Sequence, residues 1–95
     1  MDQNKLKLYT LYIGYDNKTK KAFKESLINS LINKYFEGYS IQKITGYYKG
    51  TKEDSYKVEI ITEDQKKVNN LKTFLIKKLD QESILKTTQL LNIEF

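Results

Sequence analysis

Two runs of helical periodicity, each set between stretches of strand character, constrain this chain more than any other feature. The first covers residues 19–37. There Phe23, Leu27, Leu31 and Tyr35 recur at every fourth position, and Ile28, Ile32 and Phe36 widen the stripe into one apolar face. Lys20, Lys24 and Lys34 fall off that face, and Gly38 stands where a C-terminal cap glycine would stop the helix. The second run opens at Thr62-Glu63-Asp64-Gln65, a Thr-x-x-Gln capping box. Val68, Leu71, Leu75 and Leu79 supply its inner stripe.

The stretches between follow a period of two or are apolar throughout. Residues 6–15 are apolar at positions of both parities, as a strand in the middle of a sheet requires. Asp16-Asn17-Lys18 then reads as a turn. A second strand spans 39–48. In a third, over 55–62, Tyr56, Val58 and Ile60 alternate with Lys57 and Glu59, giving one buried and one wetter face. Gly46, Gly50 and the polar run Thr51-Lys52-Glu53-Asp54 mark the hairpin connection between them. A last strand begins near Glu82-Ser83-Ile84-Leu85 and ends around Ile93-Glu94-Phe95.

Two β-α-β units in tandem give a split βαβ arrangement. The expected architecture is α+β and ferredoxin-like, βαββαβ, with a four-stranded antiparallel sheet carrying both helices on one face. Right-handed crossovers then fix the layout. Ninety-five residues make one such domain, 1–95, with no visible linker or repeat.

The composition narrows the chemistry. There is no cysteine and no histidine, so disulfides, thiolate chemistry and the commonest general base and metal ligand are all absent. No acidic cluster suggests a hard-cation site, so neither a metal nor a cofactor is expected, and the chain does not read as an enzyme. No apolar run approaches the roughly 18 residues that a membrane span needs, and the first residues do not resemble a signal peptide. A cytoplasmic location is the expectation.

All 17 basic residues are lysines, giving a net charge of +5. Lysine attracts anions as a point charge, whereas the absent arginine would read guanine through its planar fork. Sequence-specific nucleic-acid recognition is thus disfavoured. A Lys-, Asn-, Ile- and Tyr-rich chain without proline suggests AT-rich coding DNA, as in low-GC bacteria and their phages.

The expected topology has one consequence for binding. It gathers the end of the first strand, the hairpin tip, the start of the last strand and the N-terminus of the first helix at one end of the sheet. Gly14, Tyr15, Lys18, Lys20, Tyr47, Tyr48, Lys49, Lys52, Ser55, Gln81 and Ser83 belong to that end. Helix N–H groups and lysines favour an anion, and tyrosines offer a stacking face and a hydroxyl. The candidate ligand-binding residues are Tyr15, Lys18, Tyr47, Tyr48, Lys49, Lys52, Ser55, Gln81 and Ser83, for a small anionic aromatic ligand such as a nucleotide. With no histidine or cysteine, acid–base work would fall to Glu53, Glu82, tyrosine or lysine, and Glu53 and Glu82 would approach each other there.

Several short segments occur in an order of their own. They are Ile13-Gly14, Phe36-Glu37-Gly38-Tyr39-Ser40-Ile41, Gly46-Tyr47-Tyr48-Lys49, Glu53-Asp54-Ser55 and Gln81-Glu82-Ser83-Ile84-Leu85. In this the chain resembles an uncharacterised family of small bacterial proteins, a domain of unknown function. The resemblance implies the fold and no activity. Tyr48 and Lys49 stand where that family has tryptophan and arginine. Leu11-Tyr12-Ile13-Gly14 also looks like the first-strand motif of RNA-recognition domains. The third strand, however, offers Ser55, Lys57 and Glu59 to the open face and builds no stacking platform.

Three functions fit these residues. The first is a non-catalytic protein, encoded by a phage or mobile element and acting against host defence, that sequesters an anionic nucleotide-type ligand in an oligomer pocket. The second is an interaction inhibitor that blocks a host enzyme or nuclease. The third is a nonspecific nucleic-acid binder acting through lysine charge. Self-association, as a homo-oligomer and most simply a dimer, is expected through the apolar side chains of the open sheet face and the apolar segment 90–95.

Overall fold

The computed structural model describes residues 5–94. The elements are β1 (Lys7–Ile13), α1 (Glu25–Ile32), β2 (Ser40–Tyr48), β3 (Thr51–Thr62), α2 (Gln65–Lys78) and β4 (Leu85–Leu90). The strands form one sheet in the order β2-β3-β1-β4, and every neighbouring pair is antiparallel. This is the expected α+β, ferredoxin-like βαββαβ arrangement, with β1 inside the sheet as its apolar character requires.

Register decides what each face carries. Tyr9 lies opposite Ile60, Leu11 opposite Val58, and Ile13 opposite Tyr56. All six are buried, and they form one core with Ile28, Leu31 and Ile32 of α1 and Val68, Leu71 and Leu75 of α2. Leu79 and Ile84 close it at the α2–β4 connection. Each fully buried aliphatic side chain stabilises the fold by about 1.5–3 kcal/mol. Alternation puts Leu8, Tyr12, Lys57, Glu59, Ile61 and Leu85 on the other face. No helix covers them, and Ile61 and Leu85 are more than half exposed.

Three boundaries differ from expectation. α1 has eight residues and begins at Glu25, six positions after residue 19. The preceding segment closes on itself: Lys20 N–H donates to the Asp16 carbonyl at 2.7 Å, and Asp16 N–H to that of Lys21 at 2.8 Å. Lys20 has φ 61°, which no helix accepts. Phe23 packs on the core from outside the helix, and its carbonyl accepts a 2.7 Å hydrogen bond from the Tyr56 hydroxyl. Leu27 is consequently 43% exposed although it fell on the expected inner stripe. The helix is capped at Asn33, well before Gly38.

The hairpin connection is also tighter than its polar sequence suggests. Lys49 (φ 51°) and Gly50 (φ 79°) form a two-residue turn of the I′ kind. Thr51, Lys52, Glu53 and Asp54 are strand residues paired with Tyr48, Tyr47, Gly46 and Thr45. Finally, Asp64 caps α2, accepting from the Lys67 N–H at 2.9 Å. Thr62 bonds the Asp64 N–H instead of acting as the cap. β4 ends at Leu90, and of the expected apolar edge Phe95 lies outside the described residues.

The long hairpin gives the molecule its outline. The β1–β3 ladder stops at Ile13 and Tyr56, so Thr51–Ser55 continue with β2 as their sheet partner. A two-stranded ribbon thus projects beyond the sheet. The radius of gyration is 14.0 Å, against about 12 Å for a compact chain of this length.

Candidate functional site

The ribbon, the loop after β1 and the α2–β4 connection enclose an open cleft of about 730 Å³. It is lined by Gly14, Tyr15, Asn17 and Lys20, by Tyr48 and Glu53, and by Gln81, Glu82 and Ser83. Each group arrives by a definite local device.

The α2–β4 connection is set by the end of α2. Asp80 takes φ 52°, and Gln81 N–H donates to the Ile76 carbonyl at 3.0 Å, the 6→1 bond of a Schellman motif. The position after Asp80 in such motifs commonly makes an apolar contact, but here it is glutamine. Its side-chain amide reaches across and donates to the Tyr15 carbonyl at 3.0 Å. Asn17 makes a second tie, its amide donating to the Asp80 carbonyl at 3.4 Å. Gly14 allows the approach, since a Cβ there would lie 3.1 Å from Gln81 Oε1. The two loops therefore form one wall.

Tyr48, at the end of β2, and Glu53, in β3, belong to the facing ribbon. Tyr48 is 63% exposed. Among the described residues, two of the three non-glycine residues with positive φ are Lys20 and Lys49. Each holds its ammonium over a tyrosine ring of the cleft, Lys20 over Tyr15 at 5.6 Å and Lys49 over Tyr48 at 5.5 Å. A left-handed conformation costs a lysine about 1 kcal/mol, and such backbone strain concentrates where function requires it.

Of the candidate ligand-binding residues, Tyr15, Tyr48, Gln81 and Ser83 line the cleft together, with Gly14 and Lys20 from the same end of the sheet. Lys18, Tyr47, Lys49, Lys52 and Ser55 stand on the bordering segments, outside the lining. Lys18 N–H is engaged by the Asp16 carboxylate at 2.9 Å. Tyr47 and Lys52 are paired across the ribbon. Glu53 and Glu82 do share the cleft, so its lining carries two carboxylates against one lysine. Asn17 also lines it, and its place in an Asp-Asn turn was the available signal. α1 contributes no lining residue, because the helix starts well away from the loop that was to deliver its N-terminus.

No protein-family model matches the chain, and no curated protein is significantly similar to it. Among solved structures it is similar to a DUF3240 family protein from Shewanella baltica OS155, with a TM-score of 0.60 and 18% identity. That match covers 100% of this chain and 97% of the other. It is also similar to the de novo designed protein Foldit4, at a TM-score of 0.55 and 20% identity, over 92% of this chain and 99% of that one. No helix among the described residues is long and apolar enough to cross a membrane. A designed sequence reaching the same architecture underlines that function must be argued from the cleft. The resemblance to an uncharacterised family of small bacterial proteins is met by a domain-of-unknown-function protein that shares this fold.

Proposed function

We propose that this chain is a non-catalytic binding protein whose cleft takes a nucleotide-type ligand. The observation that carries the reading is the pair of lysine-capped tyrosines, Tyr15 and Tyr48, contributed by opposite walls of one cleft. A bare phosphate would meet no net positive charge in the lining. A nucleotide would meet a partner for each of its parts. Its base has tyrosine faces, its sugar hydroxyls have the acceptor oxygens of Glu53 and Glu82, and its phosphates have the ammonium groups of Lys20 and Lys49. Gln81 and Ser83 add directional hydrogen bonds. With neither histidine nor cysteine in the chain, binding and retention suit these groups better than turnover.

In this reading a second copy lies against the uncovered sheet face, where Ile61 and Leu85 are exposed, and closes the cleft from its open side. The AT-rich coding signature further leads us to infer a phage or mobile-element protein. It would act in the cytoplasm and remove a nucleotide signal of host defence.

A thermal-shift panel of nucleotides tests the proposal. A ligand at 100 times its Kd adds about 2.7 kcal/mol, which raises the Tm of a domain this size by roughly 10 °C or more. Unchanged melting with every nucleotide refutes the reading. Undiminished affinity in Tyr48→Ala removes that tyrosine from the site.

A further inference from the structure

α2 carries the whole net charge of the chain. It holds Lys66, Lys67, Lys72, Lys77 and Lys78 and no acidic residue. The chain has 17 lysines against 12 acidic residues, so everything outside α2 balances, twelve against twelve. Val68, Leu71 and Leu75 turn inward. At 100° per residue, Lys66 and Lys77 then point directly outward, and Lys67 and Lys78 lie together on the flank towards α1. Lys67 sits over the Phe36 ring at 4.9 Å, while Lys78 and Lys34 both sit over Phe74 at 5.7 Å. The rings hold these ammonium groups in place. The acidic neighbours are Glu63 and Asp64 before the first turn, Asp80 beyond the last, and Glu37, which shares a shallow depression with Lys34 and Lys67.

Helix stability accounts for half of this pattern. Lys77 and Lys78 complement the negative end of the macrodipole, but Lys66 and Lys67 oppose its positive end. A lysine pair at each end of one exposed face needs another explanation, and a polyanion supplies it. The pairs are eleven residues apart, or about 16 Å. That span lets the lysines straddle a major groove about 12 Å wide and meet the phosphate row on either side. A membrane fits less well, because the apolar stripe of α2 is already consumed by the core and nothing remains to insert.

We propose that the outer face of α2, apart from the cleft, binds the phosphate backbone of duplex DNA without reading its bases. Without arginine, the chain lacks the fork that would read guanine.

Fluorescence anisotropy with a labelled duplex of about 20 base pairs tests this. Four phosphate contacts give a slope of about −3.6 in log K against log salt, a loss of about 150-fold between roughly 50 and 200 mM. The quadruple variant Lys66→Gln/Lys67→Gln/Lys77→Gln/Lys78→Gln should lose the slope. Lys66→Gln/Lys77→Gln, the milder perturbation, should halve it. Lys43→Gln, on exposed β2, should leave it unchanged. Four results would each overturn the proposal. They are no binding at 50 mM salt, an undiminished slope in the multiple variants, an equal loss in Lys43→Gln, and tighter binding to phosphatidylserine vesicles than to the duplex.

Discussion

The contact between Gly14 and Gln81 makes a prediction with a change of sign. Gly14 has no positive φ, so its backbone accepts alanine. On that ground alone Gly14→Ala should stabilise by about 0.4–1 kcal/mol, by restricting the unfolded chain. The new Cβ, however, would lie 3.1 Å from Gln81 Oε1, and the amide must move by a few tenths of an ångström. That movement strains its hydrogen bond to the Tyr15 carbonyl. A bond of this kind contributes about 0.5–1.5 kcal/mol net, and the partial exposure of both residues favours the lower half. In the native background, therefore, Gly14→Ala should be neutral or destabilising by up to about 0.6 kcal/mol. Gln81→Ala alone should cost about 1 kcal/mol, a fall of about 4–8 °C in Tm. With Gln81 already truncated, Gly14→Ala should stabilise by its full contribution of about 0.4–1 kcal/mol. Urea midpoints at constant m-value measure all four corners of the cycle. If Gly14→Ala has the same effect in both backgrounds to within about 0.3 kcal/mol, the two residues are uncoupled and the proposed wall does not hold together as described.

Two further outcomes follow from the turn and the core. Lys49→Gly should relieve the left-handed strain at the hairpin tip and raise stability by about 1 kcal/mol, while weakening ligand retention in the cleft; a variant gaining neither Tm nor losing affinity contradicts both halves. The hydroxyls of Tyr9, Tyr39 and Tyr56 titrate above the ordinary tyrosine value of 10.0, first because burial penalises the phenolate and second because of Asp64 beside Tyr9 and Glu25 near the other two. Their folded-state values are raised, so the stability they contribute is complete below pH 10 and is lost as pH rises through those values. Urea midpoints between about pH 8 and 11 should therefore fall less steeply in Tyr56→Phe than in the native chain, and parallel curves would exclude that hydroxyl from the alkaline transition.

What the sequence disclosed, and what it hid, follows from where the deciding interactions lie. The strand alternation of Tyr56, Val58 and Ile60 and the α2 stripe of Val68, Leu71, Leu75 and Leu79 are local patterns with a single burial solution, and the core uses all seven. The segment 19–24 has no such single solution. Neither proline nor glycine interrupts it, and its apolar spacing is helical. Its conformation is held by the backbone hydrogen bonds that close it on Asp16 and by the Tyr56 hydroxyl, 33 residues away, which donates to the Phe23 carbonyl. The run Thr51–Asp54 looked like a loop because it is polar, yet polarity there reflects a ribbon wetted on both sides. Lys49-Gly50 carried the turn signal, at the only place among the described residues where positive φ was needed twice in succession. The common end could be deduced from topology, and the cleft forms there. Its charge balance could not, because which of Lys18, Lys49, Lys52, Glu53 and Glu82 lines a space depends on how the ribbon leans.

The projecting ribbon also separates two properties that most small domains must satisfy with the same residues. Tyr47 and Tyr48 are exposed, whereas Leu11, Val58 and Ile60 are sealed in the core. Breaking the outer pairs from Tyr48–Thr51 to Thr45–Asp54 uncovers almost no core surface, so the amides there should exchange through local opening while those of β1 wait for global unfolding. Selection can therefore rewrite the tip, residue by residue, with little penalty in foldability. A cleft bordered by such a ribbon can in this way be reshaped without rebuilding the core.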